Sequence, residues 1–227
     1  MAIDYNKSPQ RSEPTAAAPG VSLSKVTLTK SAPSVSLTKR GATGGQLRIN
    51  LQWSTGAAPA KKGLFGKLLG NSSGIDLDLA CLWEFTDGTK GVVQALGNAF
   101  QAPYSGAPII RLDGDDRSGA VTGGENMFID LARVGEIRRI LVFAFIYEGT
   151  PNWAGANGVV TLFPASGPEI EVKLDESDSG SPTCVIAMLE NKGGEIVVNR
   201  EVRYIKGGQA DVDRAYDWGM EWARGSK

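Results

Sequence analysis

From Val21 onward the chain is written in short apolar/polar alternations separated by Gly, Pro and Ser, and this rhythm rules out most folds. Val21 and Leu23, then Val26 and Leu28, then Val35 and Leu37, then Leu47, Ile49, Leu51 and Trp53 all recur every second residue. That is the period of a half-buried strand, not of a helix. Further strands are expected at Asp76–Trp83, Gly91–Ala95, Ile109–Leu112, Asn126–Leu131, Val159–Phe163, Glu169–Leu174, Thr183–Glu190 and Glu195–Tyr204. RRILVFAFIYE (138–148) is apolar on both parities, as a strand buried on both faces would be. Many short strands at such spacing predict a mostly all-β chain, an antiparallel β-sandwich. A helical stripe of Val212, Ala215, Tyr216, Met220 and Ala223 predicts one C-terminal α-helix over 210–224, with Trp218 and Trp222 as i, i+4 neighbours.

The domain organisation expected is a disordered N-terminal tail over 1–20, a β-sandwich over 21–205 and a C-terminal helical segment over 206–227. The tail is rich in Pro, Ser and Ala and has too little apolar surface to offset its ordering entropy. VSLSK, VTLTK and VSLTK (21–25, 26–30 and 35–39) are near copies, too short for a solenoid repeat. A basic, Gly-rich insert at 57–74 interrupts the strands. Its Leu64, Phe65, Leu68 and Leu69 could line a short amphipathic helix at a membrane surface or partner. Gly63, Gly66 and Gly70 favour a long hairpin loop instead.

Composition narrows the chemistry. The chain has no histidine, which removes Ser-His-Asp and Cys-His nucleophile sets, histidine zinc sites and histidine bases. Two distant cysteines, Cys81 and Cys184, form neither a CxxC pair nor a disulfide scaffold, and a reducing, cytoplasmic setting is the expectation. Either thiol could react with a soft chalcogen oxyanion, or both could be buried hydrophobes. The longest apolar run, Ile140–Tyr147, is far short of a bilayer span. Charge is segregated: residues 1–70 carry 10 Lys/Arg against 2 Asp/Glu, and 71–227 carry 14 against 23. The basic part has little aromatic interleaving, so no nucleic acid is expected as a partner.

The informative residues are acidic. Asp76 and Asp78 stand two apart in GIDLDLACLW, hence on one face of a strand, with Leu77 and Leu79 toward the core. Strands tend to exclude Asp, so an aligned pair is a local conflict of the kind that marks function. LDGDDRSG adds Asp113, Asp115 and Asp116 in a Gly-flanked loop, and GGEN adds Glu125. Six carboxylates plus loop carbonyls suit the 6–8 oxygens that calcium (Ca2+) takes. The spacing is not that of an EF-hand. The bland alternative is a solvated strand face and an acidic turn. An enzymatic alternative is a metal-dependent hydrolase using the Asp cluster, for which the sequence offers no evident base.

These segments also carry a family resemblance. VSLTK, GIDLDLACLW, LDGDDRSG with GGENMFIDL, and RRILVFAFIYEG occur in the order found in the TerD domain of the tellurite-resistance and stress-response proteins, over roughly residues 21–205. LWEFTDGTKGVVQALGNAF and FIYEGTPNW resemble the TerA-like branch of that family. The resemblance implies a calcium-binding β-sandwich in a cytoplasmic protein. It implies a binding or scaffold role in tellurite resistance and chemical stress, and no catalysis. It places the metal motif on Asp76, Asp78, Asp113, Asp115, Asp116 and Glu125. Other tellurite-resistance or stress proteins are the implied partners, with peripheral contact at the inner membrane surface and homo-oligomerisation left open. Gly123–Gly124 stands where relatives often carry further Asp, and the 57–74 insert is an addition to the short domains.

Overall fold

The computed structural model describes residues 25–54, 75–113, 124–149, 152–174 and 180–222. The N-terminal tail, the 57–74 insert, and Asp115 and Asp116 lie outside them. Two sheets form the domain, as the alternation predicts. The strands are β1 (Val26–Thr27), β2 (Ser34–Ser36), β3 (Gln46–Gln52), β4 (Asp76–Phe85), β5 (Lys90–Val93), β6 (Gln101–Ala102), β7 (Ile110–Leu112), β8 (Glu125–Asp130), β9 (Ile137–Glu148), β10 (Gly158–Phe163), β11 (Ile170–Leu174), β12 (Thr183–Lys192) and β13 (Glu195–Ile205). A seven-stranded sheet runs β1-β11-β10-β3-β8-β7-β6, and a six-stranded sheet runs β2-β13-β12-β9-β4-β5. Pairing is antiparallel except for β1 beside β11. The near copies VTLTK and VSLTK therefore part company, one forming an edge of each sheet.

Strand alternation builds the core. Leu47, Ile49 and Leu51 of β3, Met127 and Ile129 of β8, and Val160 and Leu162 of β10 meet Leu77, Leu79 and Cys81 of β4 and Val142 and Ala144 of β9 between the sheets. The opposite parity of β4 and β9 is apolar too. Ala80, Leu82, Leu141, Phe143 and Phe145 form a second cluster on the outer face of the six-stranded sheet. The C-terminal segment covers it, burying Val212 and Trp218 completely. Burial on both faces is why β9 reads as an unbroken apolar run.

The C-terminal helix is shorter than its stripe predicts: α2 is Gln209–Ala215. Asp213 stops it. The Trp218 amide donates to the Asp213 carbonyl (3.0 Å), and its carboxylate accepts from the Gly219 amide at 3.1 Å and the Met220 amide at 3.0 Å. Asp217 and Gly219 take positive φ, 50° and 77°, a conformation incompatible with a continuing α-helix. Trp218 and Trp222 are thus not helical neighbours. A one-turn helix, α1 (Trp153–Ala156), has Asn152 as its N-cap, its side chain accepting from the Gly155 amide. Among the described residues no helix is long and apolar enough to cross a membrane.

Candidate functional site

Three segments singled out in the sequence meet at one end of the sandwich: the start of β4, the end of β7 and the start of β8. Asp76 and Asp78 are 6% and 1% exposed. Asp78 pairs in register with Phe145 and Asp76 with Glu148, across an irregularity at Tyr147. Leu77 and Leu79 enter the main core, as expected, while Ala80 and Leu82 lie on the outer face. Alternation puts Asp78 on that outer face. The carbonyl of Ile75, just before the pair, accepts from Trp53 Nε1 at 2.9 Å, which fixes where β4 begins.

Glu125, 3% exposed, opens β8 and shares the inward parity of Met127 and Ile129. Its Oε2 accepts from the Leu79 amide at 2.5 Å. β5 pairs with β4 only over Cys81–Glu84, so this carboxylate takes a strand's place beside the first half of β4. The start of β8 is held by amides. Asn50, 3% exposed, donates to Asn126 Oδ1 (3.0 Å) and the Glu125 carbonyl (3.4 Å), and Arg48 Nη1 donates to the same Asn126 oxygen at 3.1 Å. Gly124 has φ 59°, and a Cβ there would sit 2.1 Å from the Leu51 carbonyl oxygen. Only glycine lets the loop enter the strand this close to β3.

Asp113 is placed differently from the buried pair. Its amide donates to the Asn126 carbonyl at 2.8 Å, but its side chain is 53% exposed, with Oδ1 3.7 Å from Arg111 Nη1. Among the described residues, no group of three or more Asp, Glu or Cys side chains is arranged to hold a metal ion. The structure thus brings the three backbone segments together, buries Asp76, Asp78 and Glu125, and leaves Asp113 in solvent.

Sequence reasoning missed Asn50 and Trp53 as supports, since an Asn and a Trp in an alternating strand carry no separate signal. It also missed a further buried carboxylate at the far end of β4. Glu84, 1% exposed, accepts from Arg138 Nη1 and Arg139 Nε, each at 2.6 Å, with Lys90 Nζ at 3.9 Å. Trp153 is fully buried, and its Nε1 donates to the Ser181 carbonyl at 2.8 Å. Neither Cys81 nor Cys184 forms a disulfide, both are fully buried, and burial pushes the Cys81 thiol far above its ordinary range.

No protein-family model matches the chain. The tellurium resistance protein TerA of Alcaligenes sp. is 47% identical over 207 residues, which is 91% of this chain and 60% of that protein. The chain therefore spans about 60% of its relative's length. A crystal structure of a protein of unknown function shares the fold, at TM-score 0.52 and 17% identity, over 73% of this chain and 92% of the other. A TerD homologue from Streptomyces coelicolor superposes less closely, at TM-score 0.47 and 19% identity over the same shares. Nearly half of the chain's residues are shared with a tellurium resistance protein, TerA, across almost the chain's whole extent, and it is to that protein that the chain is similar.

Proposed function

We propose that this chain is a calcium-binding, non-catalytic module of a cytoplasmic tellurite-resistance system, serving as a scaffold for other stress proteins. The observation that carries the reading is the burial of Asp76, Asp78 and Glu125 at one end of the sandwich. Carboxylates on neighbouring segments are hard oxygen donors, and a divalent cation can take several of them at once. Asp115 and Asp116 belong to the segment between Asp113 and Gly124, whose two ends are joined by the Asp113–Asn126 hydrogen bond. These five acids, with Asp113 at the loop's mouth, are the donor set. Relationship to TerA supports the tellurite role. The lack of histidine favours binding over catalysis. Full burial of both cysteines disfavours direct thiol chemistry on tellurite, which needs an accessible thiolate.

Calcium titration followed by melting tests the reading. A ligand at a hundred times its Kd adds about 2.7 kcal/mol, a rise of roughly 5–10 °C for a domain of this size. The wild type should show that rise, and Asp78→Asn should lose most of it. A wild-type midpoint indifferent to millimolar calcium would refute the proposal.

A further inference from the structure

The near-repeat VSLSK–VTLTK–VSLTK has no part in the acidic site, yet two of its copies do the same job. Val26–Thr27 pairs with Ile170–Glu171 at an edge of the seven-stranded sheet. Ser34–Ser36 pairs with Val197–Asn199 at an edge of the six-stranded sheet. Each copy thus behaves as an edge-strand sequence, Val and Leu alternating with hydroxylated residues. The first copy, Val21–Lys25, has the same alternation. Its own sheet gives it no ladder to extend. The Val26 amide already bonds to the Glu169 carbonyl, and beyond that stand Pro168, which lacks an N–H, and Gly167 at φ 93°.

The opposite edge of the six-stranded sheet is β5. The Val92 amide and carbonyl both turn away from β4, and both are taken by the Tyr104 hydroxyl, at 3.2 and 3.1 Å. A single phenol here imitates a neighbouring strand, although Tyr104 is 57% exposed. Alternation turns the Lys90 backbone outward as well. Beside this edge lies an open groove of about 560 Å3, whose lining includes Lys90, Val92, Tyr104, Met220, Glu221 and Trp222. A strand edge flanked by an open groove is the setting in which an extended segment adds to a sheet. The pairing on offer, Lys90 to Val92, is as long as the one that holds β1.

We propose that residues 21–25 of one copy add as a strand to β5 of a second copy, displacing the Tyr104 hydroxyl and seating Val21 and Leu23 in the groove beside Met220 and Trp222. Tyr104 is then a competitor for the edge, not a part of the interface. Sedimentation of the full chain over a wide concentration range tests this. The wild type should show a weight-average mass that rises with concentration. A chain lacking residues 1–24, and the full chain with Leu23→Pro, should stay at the monomer mass while melting as the wild type does. Tyr104→Ala should associate about tenfold more tightly, because the hydrogen bonds that compete with the incoming strand are gone. The proposal falls if the wild type is monomeric throughout. It falls equally if the truncated chain associates like the wild type, or if Tyr104→Ala leaves the dissociation constant unchanged.

Discussion

Glu84→Gln is expected to loosen the C-terminal segment from the sheet it covers. Glu84 collects three cations at the end of β4, and two of them also hold Trp218. The Arg139 guanidinium lies 3.9 Å over the Trp218 ring, and Lys90 Nζ donates to the Trp218 carbonyl at 2.9 Å. Trp218 itself donates from Nε1 to the Trp83 carbonyl at 3.2 Å. Glutamine keeps the volume of the side chain but removes its charge, and its NH2 group faces one of two arginine donors. Removing one partner of a buried pair costs about 3–5 kcal/mol. The side chain of Arg138 is 65% exposed and that of Lys90 32%, so solvent screens their shares. Arg139, 24% exposed, carries most of the loss. A net cost of about 2–3 kcal/mol follows, which lowers the midpoint by roughly 5–10 °C in a chain of this size. Thermal and urea unfolding at neutral pH, read by tryptophan fluorescence, give the number. Arg138→Gln is the control and should cost under about 1 kcal/mol. A Glu84→Gln midpoint within about 2 °C of wild type, or an equal loss in Arg138→Gln, would refute the reasoning.

Two further outcomes follow from buried groups. Burial holds the Cys81 proton more tightly in the folded chain than in the unfolded one. Stability should therefore be full below about pH 8.5 and fall by about 1.4 kcal/mol per pH unit above it. Cys81→Ala should flatten that decline in urea titrations run at several pH values. Tyr216, raised by burial and by the Glu201 carboxylate, should add its own decline from about pH 10. Gly124→Ala drives a Cβ against the Leu51 carbonyl oxygen at a left-handed φ. It should cost about 2 kcal/mol or more in melting assays and reduce the calcium-dependent rise, since the entry of Glu125 must shift.

Most of the sandwich is legible in the sequence because its strands are amphipathic or wholly apolar, and both patterns survive into the structure. β3, β4, β9, β12 and β13 lie within a residue or two of their expected bounds. What the alternation cannot give is who pairs with whom. VTLTK and VSLTK read as consecutive strands, yet they belong to different sheets. The 210–224 stripe is helical in period, but the Asp213 carboxylate, four residues before the helix's expected midpoint, captures the Gly219 and Met220 amides, and tertiary burial of Trp218 outweighs the stripe. The acidic end shows the same division. That Asp76 and Asp78 share a face follows from spacing. That Glu125 reaches the Leu79 amide from the other sheet, while Asp113 points to solvent, depends on a register no single strand encodes. Glu84 and the Arg138–Arg139 pair, 54 residues apart, meet only because β4 and β9 are neighbours.

The first strands act as a stitch. Eleven residues, from Val26 to Ser36, leave the border of one layer and fasten the border of the other, by two and three residue pairs respectively. A single nick, or a proline placed in that crossing, would unfasten both layers together and lay bare the backbone of Ile170–Glu171 and of Val197–Asn199. Quality control of this protein would then hinge on its least extensive contacts, with fibrous self-pairing, not simple unfolding, as the characteristic mode of failure.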